Sequence, residues 1–390
     1  MTADLHHDRG TPPYVLLVCS GLDHAARGFE SFARDCFDAF RGDARLELEL
    51  IKGSGPSGPG ERALPTLRRD WAACRALSRL TGIRAFRYEH LSFGLSLQPV
   101  LLHRRPDVVF LSEWDTARAL AAMRRLTRQR FKLLLSNGTF MSRGFDHLDH
   151  VQELTPAARD YVIQRGADPR RHTVLPLGFD IRPDFAPTSD EQRRALRERL
   201  RLPLDRAIVL SVAALNRYHK RLDYLIEEIA AIPAPRPFLL MLGQEEEETA
   251  QLRALARDRL GESGHAFRTV PAEEVADHCR ASDVFVLASL AEMQGRALIE
   301  SMATGLPTIA HDYSVSRFAL GPEGIYADLS RRGRLAPLLA EPVAYSSDPV
   351  RACARHRYVY ENFSWDRLRP RYVELFAAVA NSTVSSSTAE

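Results

Sequence analysis

Two carboxylates, Glu292 and Glu300, flank a glycine, Gly295, in the stretch A-S-D-V-F-V-L-A-S-L-A-E-M-Q-G-R-A-L-I-E-S-M-A-T-G-L-P-T-I-A from Ala281 to Ala310. An ionised carboxylate only accepts hydrogen bonds, so each of the two can hold a pair of neighbouring hydroxyls. Val284 to Leu287 reads as a strand, Glu292 as a loop tip, and Gly295 as the opening of a helix that carries Glu300. The unpaired N–H groups at such a helix start, with the helix dipole, favour a diphosphate or sugar oxygens, and a glycine there lets a ligand approach the backbone. The plainer reading is helix-start charge plus a surface glutamate. A second cluster lies upstream in S-V-A-A-L-N-R-Y-H-K-R-L-D-Y-L-I, Ser211 to Ile226, where a strand ends near Ala213 and Arg217, His219, Lys220 and Arg221 follow. Cations at the carboxyl end of a parallel strand can neutralise a diphosphate as its charge grows. By themselves they also read as a solvated basic turn. Of the 53 Lys and Arg residues only Lys52, Lys132 and Lys220 are lysines, so Lys220 stands out against an arginine-biased background.

These clusters need a scaffold, and apolar runs alternating with amphipathic stretches provide one. Tyr14 to Cys19 reads as a buried strand, Gly28 to Phe40 as a helix, and Leu46 to Ile51, Val108 to Leu111, Leu133 to Leu135 and Thr173 to Pro176 as further strands. After a turn-rich stretch the pattern restarts: helix Glu191 to Arg201, strand Ala207 to Val212, helix Leu222 to Ala231, strand Phe238 to Leu242, helix Thr249 to Leu260, strand Val284 to Leu287, helix Arg296 to Thr304, strand Pro307 to Ala310. Strands separated by helix-period segments imply βαβ units and parallel sheets. The expected organisation is a flexible N-terminus (1–13), an N-terminal Rossmann-like domain (14–180), a linker (181–190), a second doubly wound domain (191–355), a C-terminal helix crossing back to the first domain (356–380) and a disordered tail (381–390). Two such domains place a ligand cleft between the carboxyl ends of their sheets.

The chain has 390 residues, enough for two or three domains, with 45% hydrophobic and 26% charged residues, a composition that excludes wholesale disorder and a collagen-like fibre. No apolar run approaches the roughly 20 residues of a membrane span, and the polar, His-rich start lacks a signal-peptide core, so the expected location is the cytoplasm. Five scattered cysteines read as reduced thiols. A net charge of +3, with no recognised binding module, does not point to nucleic acid. One segment, 68–87, concentrates Arg68, Arg69, Arg75, Arg79, Arg84 and Arg87 among Trp71, Leu77, Leu80 and Phe86. It reads either as an arginine-biased helix packed on its own sheet or as an interfacial face giving peripheral contact with the inner side of an anionic membrane.

Ordered motifs resemble the family 4 glycosyltransferases, retaining enzymes of the GT-B fold built from two facing Rossmann-like domains. The resemblance rests on Val209 to Ala213 with the Arg/Lys loop, on F-L-L-M-L-G (Phe238 to Gly243), on Thr269-Val270-Pro271, on A-S-D-V-F-V-L-A-S with E-x-Q-G-x-x-x-x-E-S-M-A-x-G-x-P, and on Phe363-Ser364-Trp365 before a terminal helix. In the first half, V-C-S-G with R-G-F-E-S-F-A and the run Val174 to Phe185 add to it. The resemblance implies transfer of a sugar from a nucleotide-diphosphate sugar to a hydroxyl acceptor, with retention and with no cofactor or metal. It implies that Glu292 holds donor-sugar hydroxyls near the backbone of Gln294, Gly295 and Arg296, that Glu300 binds the ribose, that Arg217 and Lys220 hold the diphosphate, that Val270 meets the base, and that Gly28 approaches the diphosphate or acceptor. Arg221 stands where the family usually has glycine, so Arg217 and Arg221 compete for the arginine role. The family's usual first-domain histidine is replaced by Ser136-Asn137-Gly138, with His147 and His150 farther along.

Two alternatives belong to other classes: a GT-B-fold epimerase that consumes the nucleotide sugar alone, and a non-catalytic sugar-nucleotide-binding protein. Two further patterns carry less. Gly53 to Gly58 matches G-x-G-x-x-G, but Pro56 and Pro59 oppose a helix there, so it reads as a loop. Asp146, His147, Asp149 and His150 fit a solvated helix start better than a metal site. The chain holds no D-x-D triplet.

Overall fold

The run Y-V-L-L-V-C forms β1 (Tyr14–Cys19), apolar because a central parallel strand is covered on both faces. The computed structural model describes residues 11–25, 28–139, 144–341 and 348–382. Most of the expected flexible N-terminus and disordered tail lies outside the described residues.

The chain divides into two units, Met1–Asp180 with Trp365–Glu390, and Ile181–Ser364. In the first, β1, β2 (Glu47–Lys52), β3 (Glu61–Ala63), β4 (Val108–Leu111), β5 (Lys132–Asn137), β6 (His150–Glu153) and β7 (His172–Val174) make a sheet of order β3-β2-β1-β4-β5-β6-β7. Its helices include α1 (Gly28–Phe40), α2 (Ala72–Thr81), α3 (Ala85–Ser96), α4 (Gln98–Arg104), α5 (Trp114–Thr127) and α6 (Pro156–Ile163). In the second, α7 (Asp190–Arg199) leads into β8 (Ile208–Val212), α8 (Leu222–Ala230), β9 (Phe238–Leu242), α9 (Thr249–Leu260), β10 (His265–Arg268), α10 (Ala272–Ala281), β11 (Val284–Leu287), α11 (Arg296–Ala303), β12 (Thr308–His311), α12 (Ser314–Leu320) and β13 (Ile325–Ala327). The second sheet has order β10-β9-β8-β11-β12-β13, and every strand pair in both sheets is parallel.

Most expected elements differ from the observed ones by a residue or two at their ends. The strand expected at Thr173 to Pro176 stops at Val174, consistent with Pro176 having no N–H for a ladder. The expected domain boundary needs correction. Residues 356–363, expected in the helix returning to the first domain, instead finish the helix Pro349–Phe363, which with Ser364 belongs to the second unit. His356 sits between the Ala303 carbonyl (Nδ1, 2.6 Å) and the Arg182 carbonyl (Nε2, 2.9 Å), and Arg355 Nε donates to the Gly305 carbonyl at 2.8 Å. The same contacts draw the expected linker, 181–190, into that unit.

The returning helix is Trp365–Ala380. Its Tyr372 and Phe376 pack with Phe32, Phe40 and Phe110 of α1 and β4, and Trp365 stacks on Phe32. The Tyr372 hydroxyl donates to the Pro176 carbonyl at 2.9 Å and accepts from Gln152 Nε2 at 2.7 Å. A side chain at Gly178 would strike the Trp365 ring at 2.5 Å, so glycine is required for this close approach.

Candidate functional site

In the second sheet the chain leaves β8 toward β9 on one side and β11 toward β12 on the other, so the switch point lies between the carboxyl ends of β8 and β11. In open α/β sheets that crevice is where ligands bind. The loop after β8 carries Lys220, and the loop after β11 carries Glu292. Asn216, buried, shapes the first loop: its Oδ1 accepts from the backbone N–H of His219 (3.2 Å) and Lys220 (2.9 Å), and its Nδ2 donates to Glu246 Oε2 at 2.9 Å. Lys220 Nζ donates to Glu292 Oε1 at 2.5 Å. The two side chains are 24% and 16% exposed, so the pair is partly dehydrated yet open to an incoming ligand.

Tyr313 fixes the second loop, its hydroxyl accepting from the Glu292 backbone N–H at 2.7 Å. Burial, reinforced by the Glu292 charge, pushes the Tyr313 phenol well above its ordinary range, so it stays a neutral hydroxyl. Ser211 in β8 and Ser289 just beyond β11 each hold a buried hydroxyl with no hydrogen-bond partner among the described residues. Buried polar groups are nearly always satisfied, so exceptions at a switch point call for an explanation.

Arg217 and Arg221 have separated. Arg217 is exposed; its backbone N–H donates to Glu248 Oε2 at 2.7 Å, and its guanidinium reaches Gln251 Oε1 (3.2 Å) and Asp223 Oδ2 (3.5 Å). Arg221 sits at positive φ (50°) and donates to the carbonyls of Leu329 (2.6 Å) and Ala288 (3.3 Å), so its guanidinium lies against the end of β11. Arg221 thus lies nearer the switch point than Arg217.

Gly295 precedes α11 at φ 75°, Gln294 is buried, and Arg296 pairs with Glu300 across one helical turn at 3.1 Å. Gly295→Ala is expected to lose about 1–2 kcal/mol from the left-handed backbone alone. The new Cβ would also meet Leu298 Cδ1 at 2.8 Å. Thermal unfolding of the variant checks this, and an unchanged midpoint would contradict it. Val270 follows β10, two strands from β8, next to Thr269, whose hydroxyl donates to the Gly243 carbonyl at 2.7 Å. Gly28 opens α1 in the other unit and is exposed.

The first unit has its own switch point, between β1 and β4, and a polar cluster there that the sequence reading missed. Ser20, one residue past β1, donates its N–H to Glu113 Oε1 at 2.5 Å and its hydroxyl to Glu89 Oε1 at 3.1 Å. Glu89, fully buried on α3, also meets His24 Nε2 at 3.0 Å, the Arg69 backbone N–H at 2.6 Å and the Arg69 guanidinium. Burial pushes this carboxyl upward, but the His24 and Arg69 hydrogen bonds outweigh it and hold the acid well below the usual carboxylate range. Beside it, Lys52 Nζ donates to Asp23 Oδ2 at 2.5 Å. The signal was weak because these residues are spread from 20 to 113 with no fixed spacing.

The two weaker patterns have structural roles. Gly53 to Gly58 forms a loop before β3 with no helix after it. Asp149 accepts from Arg124, and His150 meets the Thr173 hydroxyl at 2.9 Å. Among the described residues no three His, Cys, Asp or Glu side chains gather as metal ligands, and no helix is long and apolar enough to cross a membrane. The five cysteines are free thiols.

Residues 192–323 match the family model described as Glycosyl transferases group 1, a span that includes Lys220, Arg221, Glu292, Gly295 and Glu300. A mannosylfructose-phosphate synthase of Agrobacterium fabrum is 30% identical over 197 residues, 46% of this chain and 42% of that protein. A D-inositol 3-phosphate glycosyltransferase of Geodermatophilus obscurus is 29% identical over 250 residues, 61% of this chain and 54% of that protein. The chain thus spans about half the length of the curated relatives it matches. Among solved structures, a sucrose-phosphate synthase from Thermosynechococcus elongatus superposes with a TM-score of 0.75 at 19% identity, covering 94% of this chain and 100% of that one. The Anabaena protein HepE, solved with UDP-glucose, gives 0.69 at 16% identity, covering 94% and 99%. The fold class expected from the sequence is the observed one: two Rossmann-like α/β domains, with GT-B glycosyltransferases as structural neighbours.

Proposed function

We propose that this chain is a retaining glycosyltransferase that moves a sugar from a nucleotide-diphosphate sugar to a hydroxyl acceptor without a metal. The observation that carries this reading is the Lys220–Glu292 pair at the β8/β11 switch point, inside the residues matched by the group 1 transferase model. Breaking a sugar–phosphate bond builds positive charge at the anomeric carbon and negative charge on the departing diphosphate. Lys220, with Arg221 as the nearer arginine, neutralises the diphosphate, and a fixed cation needs no reorganisation at the moment of reaction. Glu292 accepts hydrogen bonds from the donor sugar's hydroxyls, and Glu300 takes the ribose. The N–H groups from Gln294 to Arg296, at the start of α11, face the sugar and phosphate oxygens. Val270 meets the base through its backbone. The departing phosphate accepts the acceptor's proton, so no carboxylate nucleophile is required. The acceptor is a glycan, a lipid-linked sugar or a small natural product.

A structural neighbour holds UDP-glucose, which makes UDP-sugars the first donors to test. Incubated with its donor and no acceptor, the protein is expected to transfer the sugar slowly to water, which proton NMR reads directly. The first free sugar seen should carry the donor's own anomeric configuration. Release of the opposite anomer would overturn retention, and an epimerised nucleotide sugar would favour the epimerase reading.

A further inference from the structure

We propose that the α2–α3 hairpin of the first unit docks on the surface of an anionic lipid bilayer, a property separate from sugar transfer. From Trp71 to Tyr88 the chain has no Asp or Glu and four arginines, Arg75, Arg79, Arg84 and Arg87. Arg87 lies 3.4 Å from Asp115. Among the described residues, no acidic side chain pairs with Arg75, Arg79 or Arg84.

Large apolar side chains are also exposed on these two helices and at their turn. Trp71 is 48% exposed, Leu80 85% and Ile83 39%, and on α3 Leu91 and Leu95 are 45% and 62% exposed. Trp71, Arg75 and Arg79 are spaced four apart and so lie along one helical face. Of the ten residues of α2 only Cys74 is buried. A helix that short is marginal in water by itself, and here little of its surface is covered by the protein. Half-exposed tryptophan, apolar side chains and unpaired arginines without acids are what an interfacial helix presents to acyl chains and negative headgroups. The hairpin is also tied inward, because Glu89 on α3 is the hub of the polar cluster at the end of β1.

The test is co-sedimentation of the full chain with vesicles of equal parts phosphatidylglycerol and phosphatidylcholine, against phosphatidylcholine alone. Binding is expected only to the anionic vesicles, with Trp71 emission moving to the blue. Each arginine near such a surface contributes about fivefold in affinity, so Arg75→Gln/Arg79→Gln/Arg84→Gln together should lose roughly a hundredfold. All three side chains are exposed or at the hairpin turn, and circular dichroism with the donor-induced thermal shift will show that the variant remains folded. Trp71→Ser/Leu80→Ser should weaken vesicle binding while leaving net charge unchanged. Three results would overturn the proposal: no binding to anionic vesicles, binding unchanged in the arginine variant, or RNA binding as tight as vesicle binding with no effect of the Trp71/Leu80 changes. The last would make this a polyanion surface.

Discussion

Lys220→Ala is expected to lower kcat/KM for sugar transfer by about a thousandfold, the scale on which removing one preorganised charge partner acts in other enzymes. Two effects add. The diphosphate loses the cation that neutralises it as the bond breaks. Glu292, which holds Lys220 Nζ at 2.5 Å, is left as an uncompensated carboxylate beside the same phosphates. Glu292→Ala alone should therefore hurt donor-sugar recognition more than diphosphate binding. In Lys220→Ala/Glu292→Ala the loss should be smaller than the sum of the two single losses, which is how a directly coupled pair behaves. Lys220→Arg should recover only part of the rate, because a planar guanidinium does not replace a compact ammonium in a pocket shaped by Asn216. Steady-state kinetics on the four variants decides the matter. Full activity in Lys220→Ala would remove this residue from the chemistry.

Glu89→Ala carries the second large effect, on stability rather than rate. The carboxyl is buried and joins Ser20, His24 and Arg69. Removing one member of a buried ionic network leaves the others uncompensated, which costs about 3–5 kcal/mol. For a unit of this size that is roughly 10 °C in the unfolding midpoint. Glu89→Gln keeps the shape and some of the hydrogen bonds and should lose less. The pH dependence follows from the depressed acid. Its stabilisation is fully present above the ordinary glutamate range of about 4.3 and fades as pH falls toward its folded-state value. Wild type should lose stability progressively below about pH 4, and Glu89→Gln should show a shallower acid limb over that window. Denaturant melts at pH 7 and pH 3 test both points, and equal acid sensitivity in the two proteins would contradict them.

Most of the fold was legible because the central strands are continuous apolar runs. Tyr14–Cys19, Phe238–Leu242 and Val284–Leu287 are buried on both faces and announce themselves. The strands that went unread are the short ones on the outer side of each sheet or near it. Glu61–Ala63, His150–Glu153 and His265–Arg268 mix charge with apolar residues and have little periodicity to detect. The Phe363-Ser364-Trp365 motif pointed to a terminal helix, but its start was expected at residue 356, because what ties His356 to Arg182 and Ala303 is tertiary. In the second unit the positions of Lys220, Glu292 and Gly295 just past strand ends could be read from two compact motifs. Where the Arg217 and Arg221 guanidinium groups lie could not, since that depends on Gln251, Ala288 and Leu329, far away in sequence. Tyr313 and the Glu89 cluster escaped for the same reason.

A nucleotide-diphosphate sugar is expected to bind at the β8/β11 switch point. The most direct measurement is thermal shift of the wild type, Lys220→Ala and Glu300→Ala against UDP-, GDP-, dTDP- and ADP-sugars. One base should stabilise the wild type by several degrees, since a ligand at about a hundred times its Kd adds roughly 2.7 kcal/mol, and both variants should lose most of that shift. No shift with any donor, or a shift that survives in both variants, would mean that the donor does not bind at this switch point.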